Sequence, residues 1–274
     1  MEDLTPRETL AEPQNAWLFD VDGVITNPAE KRITEPEILD EIIKRLKKGE
    51  PVGLNTGRSI DFIVEQVLLP LEQKVDDKRL LNNVFAVGEK GGIWITYKDG
   101  TRTEEIDRSI SVPIDLQDEV RKLIDEEFSD LMFFDDTKKT MISVEMKQGI
   151  SLDAFHARQS ELVGKMRDLL IKYKTHDLKI DPTTIATDIE NSHVGKHLGA
   201  RRFLEMLGER GINPQNFIAF GDSSSDFEMY DALKEAGKSA KFVFVGTKAG
   251  EEGENIQRTN SHFGEGTLEF LQSN

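Results

Sequence analysis

Asp20-Val21-Asp22-Gly23 follows directly on the apolar run Ala16-Trp17-Leu18-Phe19. Two carboxylates two positions apart at the end of a buried strand resist joint ionisation, because like charges held close repel. A fold keeps such a pair where a cation or a reaction needs it. Three later segments carry residues suited to moving a phosphoryl group: Asn55-Thr56-Gly57-Arg58, Gly195-Lys196 and Gly221-Asp222-Ser223-Ser224-Ser225-Asp226.

In an open α/β sheet, ligands bind beyond the carboxyl ends of the strands. Asp20, Thr56 and Asp222 each fall at such an end. Mg2+ takes hard oxygen ligands and keeps several waters. Asp20 and Asp222 are expected to give it one carboxylate oxygen each, Asp22 its backbone carbonyl, and Asp226 a contact through water. A carboxylate also attacks phosphorus, and that role goes to Asp20. Asp22 is the general acid and base. Thr56, beside flexible Gly57 at a helix start, and Lys196, opening another helix, are expected to hold the phosphoryl oxygens.

The elements that must position these groups alternate strand and helix at both ends of the chain. Asn15 to Phe19 is apolar almost throughout, as in a strand covered on both faces. A helix follows, with Ile38, Leu39, Ile42, Ile43 and Leu46 on one face, a capping box between Thr34 and Glu37, and Gly49 after its end. Pro51 to Asn55 is a strand, Ile60 to Leu68 a helix, and Asn83 to Val87 a strand. After Gly88 the pattern changes to a hairpin (Ile93 to Tyr97, Thr101 to Ile106), a helix through Leu116 and Phe128, a strand from Thr140 to Met146, and a long helix from Phe155 to Tyr173. Short strands are expected at Leu178 to Ile180 and Thr184 to Thr187. The first pattern resumes at Gly195, with a helix, the strand Asn216 to Phe220, another helix and the strand Lys241 to Val245. This order predicts a parallel three-layer core carrying one α+β insert. The expected division is core 1–87, insert 88–190 and core 191–274.

Composition narrows the classes. At 274 residues, with 37% hydrophobic and 31% charged residues, the chain suits a soluble protein of a core plus a second module. It has no cysteine, which removes disulfides, zinc–thiolate sites and thiol nucleophiles. No run approaches the roughly 20 apolar residues of a membrane span, and Met1-Glu2-Asp3-Leu4-Thr5-Pro6-Arg7 is too polar for a secretion signal. A cytoplasmic location is expected. A net charge of −16 argues against nucleic acid as a partner, and leaves a small phosphorylated metabolite as the expected ligand. Oligomeric state is not legible.

Taken together, the four segments resemble the motifs of the haloacid-dehalogenase superfamily of phosphohydrolases, and the likeness runs from about residue 15 to about residue 246. Asp20 and Asp22 match its first motif, Thr56 its second, Lys196 its third, and Asp222 with Asp226 its fourth. The resemblance implies the same roles as argued above, with Mg2+ as cofactor, on a Rossmann-like three-layer core with a parallel sheet. Asp22 and Thr56 leave room between them for only one helix and one strand, whereas Thr56 and Lys196 span about half the chain. That placement is similar to the type IIB subfamily, which includes Cof-type and sugar-phosphate phosphatases and carries an inserted α+β (C2-type) cap. Glu89-Lys90-Gly91-Gly92 resembles the Glu-Asn-Gly-Gly-type entry to that cap. Ser225 stands where the fourth motif usually has Asn or Thr, which implies altered substrate preference.

Within the cap, Ser143, Glu145 and Lys147 share the polar face of one strand. It is either an ordinary solvated face or one that hydrogen-bonds sugar hydroxyls. Arg58 either contacts substrate or pairs with an acid. Trp94 and Tyr97 are expected to pack on cap helices, His193 and His197 to lie on the surface, and Lys138-Lys139 to be a turn. The expected activity is Mg2+-dependent hydrolysis of a small phosphomonoester, a sugar phosphate for preference. A phosphomutase would need a basic pocket in the cap, and no arginine cluster stands between Gly88 and Glu190. A non-catalytic sensor would not need both Asp20 and Asp22.

Overall fold

The computed structural model describes residues 12–248 and 253–274; the Met1–Arg7 segment lies outside the described residues. Strand β1 (Asn15–Phe19) lies near the middle of an eight-stranded sheet. On one side of it run β2 (Val52–Asn55), β3 (Val84–Gly88), β4 (Ile93–Lys98) and β5 (Thr101–Ile106). A second sheet holds β6 (Met132–Phe134), β7 (Ile142–Met146), β8 (Leu178–Pro182) and β9 (Ala186–Asn191). Beyond β1 on its other side lie β10 (Asn216–Gly221), β11 (Ala240–Phe244) and β12 (Ile256–Arg258). The six strands from β12 to β3 pair in parallel, and β4 and β5 close that edge as an antiparallel hairpin.

Side chains of β1 alternate between two buried clusters, as the period of a strand requires. Trp17 and Phe19 face α1 (Glu37–Lys47) and the helical stretch α2 (Ile60–Ile63) to α3 (Leu69–Lys74). Ala16 and Leu18 face the opposite layer. Between α2 and α3 one π turn, Val64–Leu68, precedes Pro70, whose missing N–H and bulky ring disfavour a regular α-helical interior there. The expected capping box of α1 does not form: Thr34 Oγ1 donates to Glu35 Oε2 at 2.7 Å and Pro36 takes the cap position. Gly49 turns the chain out of α1 at φ +77°.

The second sheet is antiparallel throughout, in the order β6-β7-β9-β8. Helices α4 (Ile114–Glu127) and α5 (Leu152–Tyr173) bury Leu116, Val120, Ile124, Phe155, Leu162 and Met166 against Ile142, Val144 and Ile189. The returning chain forms α6 (Lys196–Glu209) and α7 (Phe227–Glu235), which pack with Ala16 and Leu18, and ends in α8 (Phe263–Ser273).

One expectation is corrected at the start of the insert. The hairpin β4–β5 extends the main sheet, so the chain leaves that sheet after Ile106 and not at Gly88. Trp94 and Tyr97 accordingly pack in the core and not on the insert's helices. The Arg202 guanidinium lies over Trp94 at 4.6 Å, and buried Tyr97 donates its hydroxyl to Glu72 at 2.6 Å. The alternation of a hairpin is the same in either sheet, and sequence periodicity carries no sign of which sheet it joins.

The C-terminal helix, unread in the sequence, is part of the core. Phe270 is 3% exposed and meets Phe220 edge-on at 5.3 Å. Truncating a buried phenylalanine costs about 3–5 kcal/mol. Phe270→Ala is therefore expected to lower unfolding stability by about that amount in urea denaturation; a loss below about 1 kcal/mol would show that α8 is peripheral.

Candidate active site

Because β1 lies between β10 and β2, the residues that follow those three strands are neighbours at one edge of the sheet. They are Asp20, Thr56 and Asp222. Asp20 is 6% exposed, and its backbone N–H donates to the Phe220 carbonyl at 3.0 Å. The turn after it needs Gly23, at φ +76°, whose N–H closes on the Thr26 carbonyl at 2.7 Å. A Cβ there would stand 2.2 Å from Asp222 Oδ2, so the bare backbone of Gly23 makes room for that carboxylate.

Lys196 opens α6 and points back to the strand ends. Its ammonium bonds Asp20 Oδ1, approaches Asp226 Oδ1 to 2.8 Å and donates to the Asn55 carbonyl at 3.0 Å. Asp226 is 1% exposed. Its other oxygen accepts from the N–H groups of Asp222 and Ser223, both at 3.1 Å, and from the Ser223 hydroxyl at 2.8 Å. Burial pushes Asp20 up to about 8, with Lys196 pulling down and Asp226 adding to the rise. Burial opposes the charge on Lys196, but Asp20 and Asp226 outweigh it and raise its pKa. Asp222 is pushed up to about 6, by burial first and then by Asp226.

Asp22 stands on the open side of the turn. Arg58 donates Nε to its Oδ2 at 2.8 Å, and Lys31 reaches its Oδ1 at 3.4 Å. Of the two readings of Arg58, the acid pair is realised, although the residue also lines the cleft. Thr56 is buried, and its hydroxyl accepts from the Arg58 N–H at 3.1 Å.

Asp20, Asp222 and Asp226 bring carboxylate oxygens within 4.8 Å of one another. Three hard oxygen donors at that spacing, with Asp20 and Asp222 raised by burial and then by Asp226, fit a divalent cation such as Mg2+. The Asp22 carboxylate is outside this group and engaged by Arg58 and Lys31.

An open cleft of about 380 Å³ lies over these residues, and the second sheet lines its far side. Ser143 and Glu145 of β7 line it, as does Ser225, whose hydroxyl lies 3.0 Å from that of Ser223. Ser143 is buried and donates to Asp188 Oδ1 at 2.6 Å. Burial and nearby Asp135 raise Glu145, against the pull of Arg58 and Lys138. Lys147 is a correction: β7 ends at Met146, and the Lys147 ammonium turns outward to the Ser129 carbonyl instead of lining the cleft. Lys138 is another. The residue read as part of a turn reaches the cleft and donates to the Gly57 carbonyl at 2.6 Å, and burial lowers its pKa. Lys90 and Asp188 also line the cleft and were not singled out for it. Lys90 sits in the quoted Glu-Lys-Gly-Gly segment, where lysine replaces the usual asparagine, and that replacement was the available signal. His193 and His197 pair with Asn191 and Glu228, away from the cleft.

No family model matches the chain. A curated phosphoglycolate phosphatase of Methanococcoides burtonii is 24% identical over 262 residues, which is 94% of this chain and 95% of that protein. Another, of Methanosarcina acetivorans, is 31% identical over 108 residues, 38% of this chain and 44% of its own length. Among solved structures, the C-terminal domain of C. albicans trehalose-6-phosphate phosphatase matches with a TM-score of 0.66 at 16% identity, over 96% of this chain and 92% of that one.

The geometry around Gly23 sets two expectations. Gly23→Ala forces a left-handed backbone on a residue with a Cβ and drives that atom into Asp222, so Mg2+ affinity measured by calorimetry is expected to fall at least about tenfold. Because a cation binds the deprotonated carboxylate, affinity of the unmodified protein should also fall as pH drops, first through about 8, where Asp20 takes up its proton, and then more steeply through about 6, where Asp222 does. A single fall near pH 8 with no further loss through about 6 would remove Asp222 from the metal site, and an affinity flat between about pH 5 and pH 8 would remove Asp20 as well.

Proposed function

We propose that this chain is a phosphohydrolase of the haloacid-dehalogenase superfamily and that it hydrolyses a small phosphomonoester through an aspartyl-phosphate on Asp20. The observation that carries this reading is the buried lysine bridge: the Lys196 ammonium joins Asp20 to Asp226 beside Thr56 and Asp222. In the first half-reaction the Asp20 carboxylate forms a bond to phosphorus as the ester P–O bond breaks, and Asp22 gives its proton to the leaving oxygen. In the second, Asp22 takes a proton from water, the water oxygen attacks phosphorus, and the acyl phosphate releases phosphate and free Asp20. Thr56 and Lys196 hold phosphoryl oxygens during both steps, and Lys196 keeps the negative charge of Asp20 from repelling them. Asp20, Asp222 and Asp226 are the carboxylates that would hold Mg2+, which when bound supplies positive charge against the phosphoryl oxygens.

The second sheet and its helices act as a cap that excludes water and reads the leaving group. The charged lining comprises four cations (Arg58, Lys90, Lys138, Lys196) and six carboxylates (Asp20, Asp22, Glu145, Asp188, Asp222, Asp226). One divalent cation balances that difference, and the dianionic phosphoryl group makes the cleft negative again. A leaving group with a further carboxylate is then disfavoured, and an uncharged polyol or sugar is preferred. The full-length relative named for phosphoglycolate supports the other reading, an ester carrying a carboxylate.

Phosphate release from a panel of phosphorylated metabolites with Mg2+ tests both. Sugar and polyol phosphates are expected to exceed phosphoglycolate in kcat/KM, EDTA to abolish release reversibly, and Asp20→Asn to release none while remaining folded. Turnover by Asp20→Asn near the unmodified rate would sink the nucleophile assignment. A clear preference for phosphoglycolate would replace the polyol reading by the carboxylate one.

A further inference from the structure

We infer that Lys90 is a positioning residue that couples the seating of the insert to the grip on the phosphoryl group. The inference rests on the phosphatase reading above. Lys90 follows β3 and has φ +56°, beside Glu89 at φ +48°. That left-handed region suits glycine and asparagine and disfavours lysine. The turn alone therefore does not explain the lysine, and its contacts do.

The backbone of Lys90 ties together two segments that hold phosphate. Its N–H donates to the Thr56 carbonyl at 3.1 Å, and its carbonyl accepts from Gly195 at 2.9 Å, immediately before Lys196. Its side chain leaves the core and enters the insert. The ammonium donates to Glu190 at 2.5 Å and to Asp181 at 3.3 Å, and lies 3.8 Å from Asp188. These carboxylates stand on the adjacent strands β8 and β9. Burial opposes the charge on Lys90, and Glu190 and its acidic neighbours outweigh that and hold it cationic. One residue thus has its peptide groups on Thr56 and Gly195 and its charge on the insert's sheet. A shift of that sheet pulls on the ammonium and is passed to the two backbone bonds.

Lys90→Asn suits the left-handed turn but loses the cation; Lys90→Arg keeps the cation. With the full chain and Mg2+, the readouts are kcat/KM for p-nitrophenyl phosphate, competitive inhibition by inorganic phosphate, and amide exchange in β8 and β9. In Lys90→Asn, kcat/KM and phosphate affinity are expected to fall together by at least about tenfold, with faster exchange in β8 and β9. Lys90→Arg should recover most of both losses. Faster exchange in Lys90→Asn with phosphate affinity unchanged would overturn the coupling and leave a structural salt bridge. Failure of the unmodified protein to hydrolyse the ester or bind phosphate would instead overturn the phosphatase reading beneath it.

Discussion

The ammonium of Lys196 between Asp20 and Asp226 is the interaction on which the rest of the site depends. Burial first, and then repulsion from Asp226, makes Asp20 resist ionisation and raises its pKa. A single lysine carried in from a distant helix relieves both carboxylates. The fold accordingly fixes that helix with care. Asn55 donates its side-chain amide to the Lys196 carbonyl at 2.8 Å while its own carbonyl accepts from the ammonium. Gly199 lies so close that a Cβ would fall 2.0 Å from Asn55 Oδ1. Strand β2 and helix α6 thus meet through one polar residue and one glycine, and the lysine has little freedom to miss its carboxylates.

The same constraint explains how an acidic chain can handle an anion. A net charge of −16 repels phosphate at long range, but screening confines that field to about 8–10 Å at physiological salt. Inside the cleft the charges are set by named neighbours. Arg58 lies on Asp22, Lys196 on Asp20, and Lys90 on Glu190. Asp20, Asp222 and Asp226 share the single ammonium of Lys196, and that group of three carboxylates is where a divalent cation fits.

Much of this was legible because the chemistry sits at strand ends, and buried parallel strands write themselves as apolar runs. β1, β2 and β10 fall within a residue of their sequence reading, and the residues after them converge as the topology demands. What escaped reading is set by tertiary choice. β12 has three residues and one partner strand, too short for any period to show. The β4–β5 hairpin could join either sheet by pattern alone. Lys138 belongs to a polar loop whose composition says turn, and only the placement of the insert over Gly57 turns it inward. Lys147 failed for the converse reason: strand alternation put it with Ser143 and Glu145, but the ladder stops one residue before it.

The insert is therefore held by a different device from the core. Glu89, 1% exposed, accepts from the N–H groups of Lys139 and Thr140 and from the Thr140 hydroxyl, and its neighbour Lys90 binds the carboxylates of β8 and β9. Two successive residues in the left-handed region reach the segment that leads into β7 and the strands β8 and β9 from one point of the core. Such backbone strain persists only where surrounding contacts over-determine it, and here each strained residue is held by a charged side chain across the boundary. The strand ends of the core carry Asp20, Thr56 and Asp222, while the insert, tethered at Glu89–Lys90, brings Lys138 and Glu145 into the same cleft. Thr56 and Gly195 are tied to the insert through Lys90, whereas no hydrogen bond among the described residues joins Asp20 or Asp222 to it, so on the phosphatase reading the insert's lining can change substrate choice without moving those two carboxylates as long as the partners of Lys90 are kept.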